Sequence, residues 1–387
     1  MQMTKVGSVK LKSLGTTFGT TVSVAAIAAL TLAGCGSDNN TASSGGSSSA
    51  ASGSSSSAAP ADCGGKNALT AEGSTAQQNA IALFNQVWGQ KCPGKNLSYN
   101  PTGSGAGREQ FIAKNVDFAG SDSALSGDQV ADAAKRCGGN PAWNLPLVFG
   151  PIAMVYNVEG VDKLVLNGDT LAKIFQGQIT KWNDPAIAAL NSGATLPDTA
   201  ITPIYRSDSS GTTDNFQKYL KAAAPESWKK DAGSEFQGGA GEGASKSAGV
   251  TQAVQATPGS IGYVEKGFAV QAGLTFARID TGAGPVELTN ETAGKAIDAA
   301  KFAADGNDLA LDLASLYGTK EPGAYPLVLA TYEIVCSAGY DADTSAAVKS
   351  FLTVSANDAQ GGLADAGYVP LPEKFKERLL TSVQAIK

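Results

Sequence analysis

From about residue 66 onward, short apolar runs alternate with amphipathic stretches, separated by Gly-, Ser- and Asn-rich turns. Residues 69–71 read as the end of a strand, and Ile81, Phe84 and Trp88 fall on one face of a helix over 76–88. A short strand follows at 97–100, then a helix carrying Phe111 and Ile112, then a strand at 116–119. The apolar run 145–157 predicts a buried strand that crosses between two lobes. Beyond it the pattern predicts helices at 171–175, 213–221 and 251–256 and strands at 201–205 and 261–264. A strand at 325–335 returns to the first lobe, and helices close the chain at 346–352 and 374–383. Strands alternating with helices imply an α/β fold, mixed sheets covered by helices. The body exceeds the usual size of a single core, so two lobes with a hinge are expected: 63–155 and 325–387 in the first, 156–324 in the second.

The N-terminus reads as a processing signal. Lys5, Lys10 and Lys12 form a basic segment, and an apolar stretch over 22–32 is too short to span a bilayer. It ends in Leu32-Ala33-Gly34-Cys35, a lipobox pattern, so residues 1–34 are expected to be removed and Cys35 to carry lipid. Residues 36–60 are nearly all Ser, Gly, Ala and Asn; with Cys35 and the start of the body they make a flexible tether over 35–62. About 26 such residues reach roughly 28 Å. The expected location is extracytoplasmic, on the membrane through that lipid.

Composition narrows the chemistry. The formal charge is −6, and removing the three N-terminal lysines leaves −9, a poor balance for nucleic acid. An anion site here must be a local construction. The chain has no histidine, which excludes His-based triads and zinc hydrolases with His ligands. Gly-x4-Gly-Lys-Ser/Thr is absent, so nucleotide hydrolysis has no support. Neither a metal nor a cofactor is expected. Cys63, Cys92, Cys137 and Cys336 remain once Cys35 is assigned to lipid, and an even number in an exported protein suggests two disulfides. Three pairings are open; the reading favours Cys63–Cys92, bracing the opening strand and helix, with Cys137–Cys336, tying an early loop to a late strand.

Four polar loops each join a strand to a helix: Gly73-Ser74-Thr75, Gly103-Ser104-Gly105-Ala106-Gly107, Gly120-Ser121-Asp122 and Arg206-Ser207-Asp208-Ser209-Ser210-Gly211-Thr212. In α/β sheets ligands bind where such loops cluster at the carboxyl ends of strands. Helix N-termini there offer unpaired N–H groups and a partial positive charge. Each loop alone is usually just a helix cap. Together, with Arg206 among them, they form a site for a small anion.

These motifs, with Val116-Asp117-Phe118-Ala119, Ile179-Thr180-Lys181-Trp182-Asn183-Asp184-Pro185 and Pro258-Gly259-Ser260-Ile261-Gly262-Tyr263, resemble the PstS family, the phosphate-binding lipoproteins of bacterial phosphate ABC transporters. The resemblance covers nearly the whole chain after the tether. It implies a periplasmic-binding-protein (Venus-flytrap) fold closing on inorganic phosphate, with no enzymatic activity and no cofactor. The implied partners are the permease and ATPase subunits of the transporter, the receptor itself being a monomer. Position by position, Thr75 would give hydroxyl and N–H donors, Ala76 an N–H and Ser104 a donor at its helix N-terminus. Asp122 would accept the ligand's proton. From the other lobe Arg206, Ser210, Gly211 and Thr212 would bind the same anion, with Asp208 orienting Arg206. The first loop continues Thr75-Ala76-Gln77, where many relatives place an aromatic residue and a proline, so its shape is in question.

The residue chemistry of this set is coherent. Arginine presents a planar, charge-assisted fork to an oxyanion. A carboxylate in an anion site makes sense when the anion carries a proton, as phosphate does near neutral pH and sulfate does not. Two other readings start from the same residues: a phosphatase-like enzyme on this fold, and a receptor for another oxyanion such as sulfate. The first lacks a base or metal to activate Ser104 or Ser210, and Asp122 argues against the second. Trp143, Trp182 and Trp228 are read as packing residues rather than a sugar-stacking set.

Overall fold

The computed structural model describes residues 62–387. Cys35, the segment before it and the tether lie outside the described residues. Strand Ala68–Gly73 pairs in parallel with Asn96–Asn100 on one side and Phe118–Ser121 on the other. Parallel neighbours need crossover helices, supplied by Gln78–Lys91 and Ser104–Ile112. The late strand Val328–Cys336 adds antiparallel to Phe118–Ser121, and Ala142–Tyr156 adds antiparallel to it.

Ala142–Tyr156 leaves this half of the sheet, and its residues Ile152–Tyr156 pair with Ser260–Glu265. Thr202–Arg206 lies between Ser260–Glu265 and the short strand Glu242–Ala244, parallel to both. Where the sequence suggests separate sheets, the two lobes share one nine-stranded sheet, eight strands on a continuous hydrogen-bonded path and Thr275–Phe276 beside it, paired to Ala142–Tyr156. The physical reason is the length of Ala142–Tyr156, 15 residues buried almost throughout, which serves both halves. Its pairing with Val328–Cys336 changes register between Thr331 and Tyr332, opposite Pro146. Proline has no N–H to give the ladder, and such irregularities re-aim side chains.

Each half has its own aromatic centre. Trp88 meets Phe351 edge-on at 5.4 Å, and Phe351 stacks on Phe118 at 5.5 Å. In the other half Phe175 meets Phe216 at 4.9 Å, and Phe216 stacks on Tyr263 at 4.5 Å. Trp182 and Trp228 are fully buried, in keeping with packing rather than ligand stacking. Cys63 is joined to Cys92 and Cys137 to Cys336, with Cα–Cα separations of 5.4 Å in both. The second link spans 199 residues and fixes the end of helix Asp128–Arg136 to the end of Val328–Cys336. No helix among the described residues is long and apolar enough to cross a membrane.

Candidate functional site

The four polar loops leave their strands on the same side of the sheet and converge. In the first half the convergence is made possible by glycines that let loop backbones touch. A Cβ on Gly107 would lie 2.5 Å from Gly73 Cα, and one on Gly73, whose φ is +141°, would lie 2.0 Å from Gly120 O. These glycines serve contact between loops, a closer use than the approach to an anion that their motifs suggest.

Asp122 is the centre of this half. It is buried, and its carboxylate accepts from Ser74 Oγ (2.6 Å), Thr331 Oγ1 (2.7 Å) and Ser104 Oγ (3.0 Å). Its own N–H donates to Ser104 Oγ at 3.1 Å. Burial pushes the carboxyl up to about 6, the charge of Glu265 adds to the rise, and the three hydroxyls oppose it. Ser104 is the first residue of its helix, and Ala76 N–H donates to Ser74 Oγ at 3.0 Å. Gln77 is buried behind the loop, its amide reaching Tyr99 Oη (3.2 Å) and Glu333 Oε2 (3.4 Å). This amide, rather than an aromatic and a proline, holds the first loop in place. Burial pushes the Glu333 carboxyl up to about 8.

In the second half, Arg206 ends its strand with its guanidinium 2% exposed. Asp208 grips it bidentately, Nε to Oδ1 at 2.7 Å and Nη2 to Oδ2 at 2.5 Å. Burial opposes both charges, but their bond and attraction outweigh it: Arg206 is held above its ordinary value and Asp208 below. Tyr263 Oη accepts from Arg206 N–H at 3.1 Å and pairs with Thr213 Oγ1 at 2.7 Å, so the Phe216–Tyr263 core positions the loop. Helix Gly211–Ala223 begins two residues earlier than its apolar pattern suggests. Ser210 caps it, Oγ accepting from Thr213 N–H at 3.2 Å. Gly211 and Thr212 thereby become the opening residues, whose N–H groups have no intrahelical acceptor. Thr212 Oγ1 donates to buried Glu265 at 2.6 Å.

The two halves meet directly. Gly105 N–H donates to Ser209 O at 3.1 Å, Asn215 Nδ2 to Asp122 O at 2.7 Å, and Ser123 Oγ to Asp214 Oδ2 at 2.5 Å. Thr75 Oγ1 and Ser247 Oγ are 2.8 Å apart. Arg108 is buried in the first half and bridges Ser121 Oγ (2.8 Å) to Ser234 Oγ (3.0 Å). Burial lowers its pKa, against the pull of Asp214 and Asp122. Gly211 sits at a close contact between the halves: a Cβ there would lie 2.5 Å from Asp122 Cβ and 2.6 Å from Ser104 Oγ. Gly211→Ala is therefore expected to hold the halves apart and weaken ligand binding by about ten- to a hundredfold, read by titration, while the isolated halves keep their packing.

Thr75, Ala76, Ser104, Asp122, Arg206, Asp208, Ser210, Gly211 and Thr212 thus all lie in the four converging loops. Sequence reasoning did not single out Ser74, Thr331, Ser247, Glu265, Arg108 or Asn215. Ser74 and Arg108 stand inside or just after quoted motifs. The other four are polar residues of strands and helices whose position depends on the tertiary pairing.

The fold and site define a two-lobed binding protein, and the family model described as PBP superfamily domain matches residues 41–359. Phosphate-binding protein PstS 3 of Mycobacterium tuberculosis is 52% identical over 371 residues, covering 95% of this chain and 98% of the relative. PstS 2 of the same organism is 49% identical over 372 residues, with the same coverage. The structure of a high affinity periplasmic phosphate-binding protein (PfluDING) bound with phosphate matches with a TM-score of 0.66 at 24% identity, over 82% of this chain and 93% of that one. At that identity it shows the fold. The chain belongs to the PstS family of phosphate-binding proteins. These relatives are named as binding proteins, not enzymes.

Proposed function

We propose that this chain is an extracytoplasmic receptor that captures inorganic phosphate and delivers it to the permease of a phosphate ABC transporter. The observation that carries the reading is the pairing of opposites across the cleft. Arg206, gripped by Asp208, stands on one side, and a buried Asp122 ringed by hydroxyl groups stands on the other. Arg206 supplies a charge for the oxyanion. Asp122 is a fitting acceptor for an anion that still carries a proton. Thr75, Ala76, Ser104, Ser210, Gly211 and Thr212 supply N–H and hydroxyl donors around it, the Ala76 N–H turning to the anion from Ser74 Oγ. In this reading the lobes, 63–155 with 325–387 and 156–324, close over the ion and open to release it. Lipid on Cys35 and the tether keep the receptor near its transporter, raising its local concentration there. Calorimetric titration of the chain with phosphate should show one site per chain. A flat trace with phosphate would overturn the reading.

A further inference from the structure

We propose that Ser247 is a further phosphate-binding residue, its hydroxyl donating to the same ligand oxygen as Arg206 Nη1. The proposal rests on the phosphate reading above. Nε and Nη2 of Arg206 are committed to Asp208, so Nη1 is the nitrogen left to face the cleft. It lies 3.5 Å from both Thr212 Oγ1 and Ser247 Oγ, too long for strong bonds to either. Ser247 is 1% exposed, and its Oγ lies 2.8 Å from Thr75 Oγ1 of the opposite half. A guanidinium N–H and two hydroxyls, from both sides of the cleft, thus converge on one small region. An anion oxygen there would accept from all three.

The backbone before Ser247 is built to present it. Lys246 has φ +64°, and it and Lys114 are the two non-glycine residues with positive φ among the described residues. L side chains adopt that region at a cost. The Lys246 side chain is exposed, so the strain serves no packing of its own. Its N–H donates to Asp208 Oδ1 at 2.8 Å, the oxygen that also receives Arg206 Nε. One carboxylate therefore fixes both the guanidinium and the turn that aims Ser247 beside it. Ser247 lies in the first turn of helix Lys246–Ala256, on its buried face.

The test is phosphate titration of the full chain and of Ser247→Ala, Thr75→Val and the double variant, with unliganded melting curves as a control for folding. Ser247→Ala is expected to weaken phosphate binding about 10- to 100-fold, the range for a hydrogen bond to a charged group. In the Thr75→Val background it should still weaken binding by about fivefold or more, because the hydroxyl meets the ligand and does not act through Thr75. Ser247→Ala binding within twofold of the unsubstituted chain would overturn the proposal alone. So would a loss that vanishes in the Thr75→Val background, which would make Ser247 a clasp on Thr75. Failure of the unsubstituted chain to bind phosphate would overturn the phosphate reading and this proposal with it.

Discussion

Arg206→Ala is expected to weaken phosphate binding on the order of a thousandfold, in effect abolishing it at physiological concentrations. Two losses combine. The anion loses its fixed positive partner in a site shielded from water, where a charge-assisted fork counts most. Asp208 is left with its side chain 18% exposed and without its bidentate partner, and its charge then opposes the incoming anion. Arg206→Lys keeps the charge but cannot hold Asp208 by two parallel bonds while offering a third N–H to the ligand. Its affinity should fall between those of the unsubstituted chain and Arg206→Ala. Equilibrium dialysis with labelled phosphate measures all three, and an Arg206→Ala affinity within tenfold of the unsubstituted chain would remove Arg206 from the site.

Asp122→Asn is expected to change selectivity more than affinity. A site that demands a ligand hydrogen rejects isosteres lacking it by roughly 10⁴- to 10⁵-fold. With Asn in place, the amide N–H can turn toward a sulfate oxygen that the carboxylate would repel. Discrimination between phosphate and sulfate should drop by about a hundredfold or more. The same variant has a second signature. Burial holds the Asp122 carboxyl at about 6, above its unfolded value, so the folded chain binds this proton more tightly than the unfolded chain does. That contribution to stability is present in acid, below the ordinary carboxylate range, and is lost as pH rises through about 6. The melting temperature of the unliganded chain should therefore fall across that window, and Asp122→Asn should lessen the fall, the share of Glu333, whose carboxyl burial holds at about 8, remaining. Unchanged sulfate rejection in Asp122→Asn would end the account of this residue.

Much of the site was legible because its parts are local. A strand, then Gly or Ser, then a helix is a short pattern, and Gly73-Ser74-Thr75, Gly103–Gly107, Gly120-Ser121-Asp122 and Arg206–Thr212 each carry it whole. Asp208 two residues from Arg206 also reads directly as its partner. What stayed hidden depends on pairing between distant segments. Thr331 and Glu333 sit in a run that reads as an apolar strand. They gain meaning from the register that sets Glu333 opposite Gly120 and Tyr332 opposite Ser121, and from the irregularity at Pro146. Ser247 lies in the first turn of a helix that the sequence pattern starts only at Thr251, and its proposed role rests on Lys246 being turned and tied to Asp208. In the fold, the strands Val165–Asn167, Arg278–Asp280 and Pro285–Val286 form a small sheet too short for any period to reveal. Helix Asp128–Arg136 buries one residue, Ala133, so its sequence carries no apolar stripe.

Arg206 and Asp122 are proposed to act together in selecting an oxyanion that carries a proton. Calorimetric titration with phosphate, repeated with sulfate present at about a thousandfold excess, tests it most directly. The account predicts a one-site phosphate isotherm that sulfate leaves in place. Displacement of phosphate by sulfate at comparable concentrations would contradict it.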